Sequence, residues 1–173
     1  GDRIVAVVGH GWRGKVYSWK KQGLDKTAEM IGKLRAEFGI GKSSVLVDED
    51  GLGGGLVDFG KYRGFTNNAK PIQYGKDTAN YDNLKSQCYF GLSAIVNANK
   101  IHLTADSSEI EQLIIEELEV IKQRQVDTDM KRGVIKKEVM KELLGRSPDF
   151  ADAIMMRKYY DLVPKISSNA VLY

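Results

Sequence analysis

Three aspartates stand where carboxylates could act together on a metal ion. Asp48 ends a short apolar run over residues 45–47, and a glycine-rich stretch follows it, a place where open α/β sheets bind ligands. Asp149 and Asp152 are three residues apart in the first turn of a predicted helix, so both lie on one face. The helix dipole favours acids in a first turn whatever the function, so Asp149 and Asp152 each have a structural explanation, whereas that of Asp48 at a strand end is weaker. Together, the three carboxylates could bind a hard divalent cation, which prefers oxygen ligands.

Composition and motifs narrow the chemistry further. The 173 residues include one cysteine and two histidines, so a metal site must depend on carboxylates. The Gly-Lys-Ser at residues 41–43 is not a phosphate loop, because Ala36 stands where that motif needs a glycine. The glycine cluster at residues 51–55 likewise fails the dinucleotide motif, since Leu56 replaces its third glycine. Neither an ATP site nor a dinucleotide site is expected.

The first third of the chain predicts the elements that position Asp48. A β-branched run over residues 3–8 and an alternating segment over 15–19 predict a hairpin. Helical spacing follows over residues 25–38, ended by Gly39, and a second apolar strand covers residues 44–48. This order of strands and helix indicates an α/β fold with at least one parallel strand pair.

The remaining two thirds predict mainly helices. Ser107 or Ser108 can cap a long amphipathic helix, and Ser147-Pro148 predicts an N-cap followed by a helix that begins at Pro148. The further predicted helices cover residues 56–60, 81–96 and 137–144.

We expect one domain over residues 1–173. The chain lacks a run of about 20 apolar residues and opens without a signal-like segment, so we expect neither a membrane span nor a signal peptide.

Charge is unevenly distributed although the net charge is only +3. Residues 109–119 carry five acids and no base, whereas residues 122–146 carry eight bases against four acids. A β-hairpin over residues 126–137 with a basic exterior could contact phosphates, although a solvated charged face explains the same pattern. The candidate phosphate contacts are Lys122, Arg124, Lys131, Arg132, Lys136 and Lys137.

Three segments together resemble the carboxy-terminal nuclease domain of phage terminase large subunits. They are residues 45–58, with Val-Leu-Val-Asp48 and the glycines, residues 81–90, and residues 146–157, with Ser-Pro-Asp149-Phe-Ala-Asp152-Ala. The resemblance implies an RNase H-like fold, with a central mixed sheet flanked by helices and a β-hairpin insertion. It also implies a metal-dependent endonuclease that cuts concatemeric viral DNA during genome packaging.

The same resemblance implies roles for the aspartates. Asp48 and Asp152 match metal-binding positions of the family, and Asp149 matches a position that assists the second metal; a direct role for Asp50 stays open. Two Mg²⁺ or Mn²⁺ ions, about 3.5–4 Å apart, would activate a water and stabilise the leaving oxygen. The implied partners are double-stranded DNA, the terminase ATPase domain, the small terminase subunit and the portal protein, in the cytoplasm of the bacterial host.

One departure from the family pattern leaves alternatives open. The family's first catalytic aspartate lies on an opening strand, and Gly1-Asp2 matches the end of the element that follows it. We therefore expect the start of that strand, and the ATPase domain, to lie upstream of residue 1. The alternatives are a catalytically silent DNA-binding or motor-docking module, or another RNase H-like nuclease such as a junction resolvase.

Overall fold

A long hairpin forms the centre of a mixed sheet. The computed structural model describes residues 3–75, 80–125, 131–163 and 170–173. The strands are β1 (Arg3–His10), β2 (Arg13–Lys20), β3 (Leu46–Asp48), β4 (Arg63–Phe65), β5 (His102–Thr104) and β6 (Val171–Leu172). The helices are α1 (Leu24–Phe38), α2 (Gly54–Gly60), α3 (Leu84–Asn97), α4 (Ser108–Val120), α5 (Lys137–Leu144) and α6 (Asp149–Leu162).

Strand pairing is both parallel and antiparallel. Four strands follow the order β5-β2-β1-β6, in which β1 pairs antiparallel with β2 and β6, while β2 pairs parallel with β5. Strands β3 and β4 form a parallel pair, and a parallel bridge between Val45 and Leu172 connects this pair to β6. The predicted hairpin and the predicted parallel pairing are both confirmed.

Side chains of β1 enter two separate cores, because successive residues of a strand point to opposite faces. Val7 packs with α3, α4 and α6 on one face, whereas Ala6 and Val8 pack with α1 and α2 on the other. This explains why the first strand is an uninterrupted apolar run: it is covered by helices on both sides. None of the helices in the described ranges is long and apolar enough to cross a membrane.

A gap in the sheet lies beside the predicted metal site. Strand β6 pairs with β1 only at Val8 and Gly9, together with a backbone pair between Tyr173 and Val7. Farther along, the first residues of β1 and all of β3 face a cavity of about 340 Å³. Asp48, Asp149 and Asp152 all line this cavity.

Most predicted elements are confirmed, and the exceptions have physical reasons. Gly39 and Gly145 end α1 and α5 in the left-handed conformation that glycine adopts easily (φ 64° and 69°). Helix α6 begins at Asp149, because the backbone of Pro148 is not helical (φ −81°, ψ 56°), so the prediction that the helix starts one residue earlier was wrong. Strand β5 was not predicted, because its three residues become a strand only by pairing with the distant β2.

The predicted basic hairpin is described only in its flanks. Gln123 and Val134 form an antiparallel bridge, and backbone hydrogen bonds join Arg124 to Gly133 and Ile135 to Lys122. Residues 126–130, which include the predicted turn, lie outside the described residues. The hairpin therefore stays a prediction whose two flanks pair as expected.

Candidate metal centre

Asp48 lies at the carboxyl end of β3, where the strand gives way to a tight turn over Glu49–Gly53. Its Oδ1 accepts hydrogen bonds from the backbone N–H of Asp50 (3.1 Å) and from Nδ2 of Asn67 (3.1 Å). Burial raises the pKa of Asp48, and the carboxylates of Asp152 and Asp50 add to that rise. A bound cation would relieve this electrostatic cost, which fits a metal-ligating position.

Asp152 lies in the first turn of α6 and is 92% buried, with cationic and phenolic groups around its carboxylate. Its Oδ1 accepts a hydrogen bond from the Tyr89 hydroxyl (2.6 Å) and faces the Lys85 ammonium at 2.7 Å. Its Oδ2 accepts a hydrogen bond from Nζ of Lys137 at 2.9 Å. Both oxygens thus already have hydrogen-bond partners, and the two ammonium groups occupy positions where a metal ion would bind.

Electrostatics keep Asp152 ionised in spite of its burial. Burial alone would raise the pKa of Asp152, but Lys85 and Lys137 outweigh burial and lower it. The pKa of the Tyr89 hydroxyl is raised well above its ordinary value by its own burial and by the adjacent Asp152 charge. Tyr89 therefore remains a proton donor, and Asp152 remains a charged acceptor at neutral pH.

Asp149 and Asp152 share one helix face, as their spacing predicted, but have different surroundings. Oδ2 of Asp149 accepts a hydrogen bond from the backbone N–H of Arg3 (2.9 Å) at a more exposed position. Within the described ranges, no group of three or more His, Cys, Asp or Glu side chains is gathered closely enough to hold one ion. The structure brings Asp48, Asp149 and Asp152 to one cavity without packing them around a single point.

The candidate DNA-contacting bases divide into two groups. Lys122, Lys131 and Lys136 are exposed. Arg132 is also exposed, but its guanidinium stacks on Phe90 and Tyr81. Arg124 pairs with Asp82 at 3.0 Å, and Lys137 contacts Asp152. The three exposed lysines are therefore better placed to contact an incoming phosphate.

A polar groove of about 550 Å³ opens from the carboxylates towards these bases. Its walls include Asp48 and Asp50 at one end and Lys136 and Arg124 near the hairpin flanks. Between them lie amide side chains from the segment after β4 and from the start of α3, namely Asn67, Asn68 and Asn83. The groove thus joins the two parts of the molecule predicted to act on DNA.

Lys85 and Tyr89 were not predicted as site residues, although they contact Asp152 directly. One available signal was their spacing, because residues four apart on a helix share a face. That face also carries Leu84, Cys88 and Leu92, which are buried, so a lysine at position 85 had to find a buried partner. Asn67 gave no comparable signal, since it lies in a polar loop.

The layered sheet, with one aspartate at a strand end and another on the helix packed behind it, defines a class of fold. It is the RNase H-like fold of terminase nuclease domains, as the resemblance predicted. The chain is similar to the nuclease domain of the large terminase subunit gp2 of bacterial virus Sf6, at 20% identity and a TM-score of 0.67. The match covers 91% of this chain and 87% of the Sf6 domain.

Metal-containing structures of a lysine-to-alanine variant of that domain give similar values. The form with manganese and beta-thujaplicinol has a TM-score of 0.70, with 91% of this chain and 82% of the other covered, again at 20% identity. The form with calcium has a TM-score of 0.67. No protein-family model and no curated protein matches the chain. The likeness to these solved structures establishes the fold.

Proposed function

We propose that this chain is a divalent-metal-dependent DNA endonuclease that cuts concatemeric viral DNA during genome packaging. The observation that carries the proposal is that Asp48 and Asp152 line the same cavity of a terminase-nuclease fold. The manganese and calcium in the structures of the Sf6 domain support a divalent cation as the cofactor. We propose Mg²⁺ or Mn²⁺ in a two-metal site.

Asp48 and Asp152 are the proposed principal ligands, and Asp149 is proposed to complete one coordination shell. Bound divalent ions supply Lewis-acid stabilisation of a phosphate and activation of a water molecule. The chain's own contribution is to keep Asp152 ionised through Lys85 and Lys137, and to hold one of its oxygens with the Tyr89 hydroxyl. Because Lys137 contacts Oδ2, it must release that atom before the atom can serve as a ligand.

By the same resemblance, we propose that a further carboxylate lies on a strand upstream of residue 1. The cavity between β1 and β3 supports this part of the proposal, because the edges of both strands line it next to Asp48. Strands in a sheet are about 4.8 Å apart, so a segment placed there would lie directly beside the proposed ligands.

The proposed substrate is double-stranded DNA, with its backbone held by the exposed lysines near the hairpin flanks. Nearby positive charge is needed, because the aspartates alone would repel a phosphodiester. By the same resemblance we propose the terminase ATPase domain, the small terminase subunit and the portal protein as partners, in the cytoplasm of the bacterial host.

A plasmid-nicking assay in Mg²⁺, Mn²⁺ or EDTA tests the function. The chain should be compared with a version extended upstream by about one strand, roughly 5–6 residues, and with Asp48→Asn in the extended background. Metal-dependent nicking that disappears with EDTA and with Asp48→Asn is expected. Metal-independent nicking, or full activity of Asp48→Asn, would contradict the proposal. DNA binding without any nicking in the extended version would favour a silent DNA-binding module instead.

A further inference from the structure

We infer that Asn67 is a positioning residue for the proposed metal centre, which holds Asp48 and Asp50 together and connects them to the helix that supports Asp152. This inference rests on the proposed function. Asn67 follows β4, the parallel neighbour of β3, and β4 ends at Phe65 opposite Asp48. The carboxyl ends of adjacent parallel strands meet at one sheet edge, so Asn67 reaches the loop that follows Asp48.

Three hydrogen bonds join Asn67 to the two aspartates. Nδ2 of Asn67 donates to Oδ1 of Asp48 (3.1 Å) and to Oδ2 of Asp50 (2.8 Å), and its backbone N–H donates to the same Asp50 oxygen (2.7 Å). A single side-chain amide therefore bridges two carboxylates that repel each other. Because this amide is neutral, it offsets the repulsion without the positive charge that would compete with a metal ion.

The hydrogen bonds to Asp48 leave its Oδ2 available to bind a metal ion. Both hydrogen bonds donated to Asp48 by described residues, from Asp50 and from Asn67, end on Oδ1. A carboxylate fixed through one oxygen presents the other in a defined direction. Hydrogen-bond partners of this kind orient ligands and raise metal affinity in known metal sites.

Asn67 also connects the strand-end carboxylates to α3. Its backbone carbonyl accepts a hydrogen bond from the N–H of Lys85 (3.1 Å), and the Lys85 ammonium lies 2.7 Å from Asp152. One residue thus contacts Asp48 and Asp50 on one side and the residue that pairs with Asp152 on the other. A shift of Asn67 would change the position of Asp48 relative to Asp152.

Titration of the chain with Mn²⁺ in a calorimeter tests the inference without relying on cleavage. Asn67→Ala removes both side-chain hydrogen bonds and keeps the backbone one, and it should weaken Mn²⁺ binding roughly 10- to 100-fold. The matched control is Asn97→Ala. Asn97 lies at the opposite end of α3 from Lys85 and donates a hydrogen bond to Ser93 (3.4 Å) at an exposed position, so its loss should leave the Mn²⁺ affinity within about twofold.

Asn67→Asp gives a second, isosteric variant that keeps the shape of the side chain but replaces the donor with a charge. Weakened Mn²⁺ binding in this variant is expected, whereas binding tighter than that of the unmodified chain would show position 67 acting as a ligand and would overturn the inference. Equal Mn²⁺ affinity of Asn67→Ala and the unmodified chain would overturn it as well. Absence of Mn²⁺ binding both by the unmodified chain and by the version extended upstream would instead contradict the proposed function itself, and the inference with it.

Discussion

The Lys137 ammonium lies 2.9 Å from Oδ2 of Asp152, and its side chain is 41% exposed. Lys85, which contacts the other oxygen, is only 14% exposed. Burial opposes the charge on Lys137, but Asp152 outweighs burial and raises the pKa of Lys137. The two lysines therefore differ in one important respect: Lys137 can turn towards solvent, whereas Lys85 is held beneath the site.

Replacing Lys137 should make the proposed metal site easier to occupy. Lys137→Met removes a competing cation from Asp152 and keeps the aliphatic stem. A partly exposed ion pair contributes about 1 kcal/mol, so Mn²⁺ affinity should rise roughly fivefold in calorimetry. Lys141→Met is the control, because Lys141 lies one turn along α5 and lines the same cavity. An equal rise in both variants would show a general effect of charge rather than competition at Asp152.

Asp48→Asn and Asp152→Asn should both abolish divalent-metal binding but change stability in opposite directions. Burial raises the pKa of Asp48, so a neutral asparagine there should leave the free energy of unfolding unchanged or increase it. Asp152→Asn leaves the buried Lys85 without its counter-charge, which should cost about 3 kcal/mol. Adding Lys85→Met should recover part of that loss without restoring metal binding.

Denaturant unfolding and calorimetry on the same variants check this pair of outcomes. Undiminished metal binding in both single variants would refute the ligand assignment. A loss of stability in Asp152→Asn with unchanged metal affinity would mean that Asp152 serves only to pair with Lys85 and Lys137.

Stability should fall as pH rises from about 5 to 7, because of Glu117. This side chain is 99% buried, and its carboxylate accepts a hydrogen bond from the N–H of Ala151 (2.9 Å) at the start of α6. Burial raises the pKa of Glu117 to about 7, with Arg146 opposing that rise. A raised carboxyl pKa means that the folded state binds the proton more tightly than the unfolded chain. The stabilisation is therefore complete below the unfolded pKa near 4.5 and is lost as pH rises through 7.

The loss attributable to Glu117 should be on the order of 2–3 kcal/mol, measured as the urea midpoint at a series of pH values. Glu117→Gln keeps an acceptor for the helix N–H and removes the titrating group. Its stability should therefore change little between pH 5 and 7. A slope as steep as that of the unmodified chain would assign the pH dependence to another group.

DNA affinity should depend on Lys131 and Lys136 through phosphate contacts. If each lysine touches one phosphate, Lys131→Ala with Lys136→Ala should reduce the slope of log affinity against log salt by about 1.8. Filter binding at several salt concentrations, in Ca²⁺ to limit cutting, measures the slope. Arg132 is left unchanged, because its guanidinium lies 4.3 Å from the Phe90 ring centroid and its loss would also disturb packing.

The control for this pair is Lys26→Ala with Lys33→Ala, which makes the same change in charge on α1, against the other face of the sheet. That variant should leave the slope unchanged. Identical slopes in all three proteins would show that the hairpin flanks do not contact DNA phosphates. That result would not contradict the proposed metal centre.

Local sequence determined much of the fold and part of the site. The β1–β2 hairpin, α1 and α4 depend on turns, apolar periodicity and caps within a few residues, such as the bond from Ile110 to the Ser107 hydroxyl (3.3 Å). Asp48 could be placed at a strand end, and Asp149 and Asp152 on one helix face, for the same reason. These features follow from neighbours along the chain, so a sequence pattern contains them.

Contacts between distant residues were decided only by the tertiary structure. Lys85 and Tyr89 reach Asp152 because α3 packs against α6, and no local pattern records which residues then meet. The start of α6 illustrates the difference, since Ser147 was predicted as its cap, while the carboxylate of Glu117, 34 residues before Ala151, accepts a helix N–H there. A buried charge takes whichever partner packing brings within hydrogen-bond distance, because leaving it unpaired costs more than any local preference supplies.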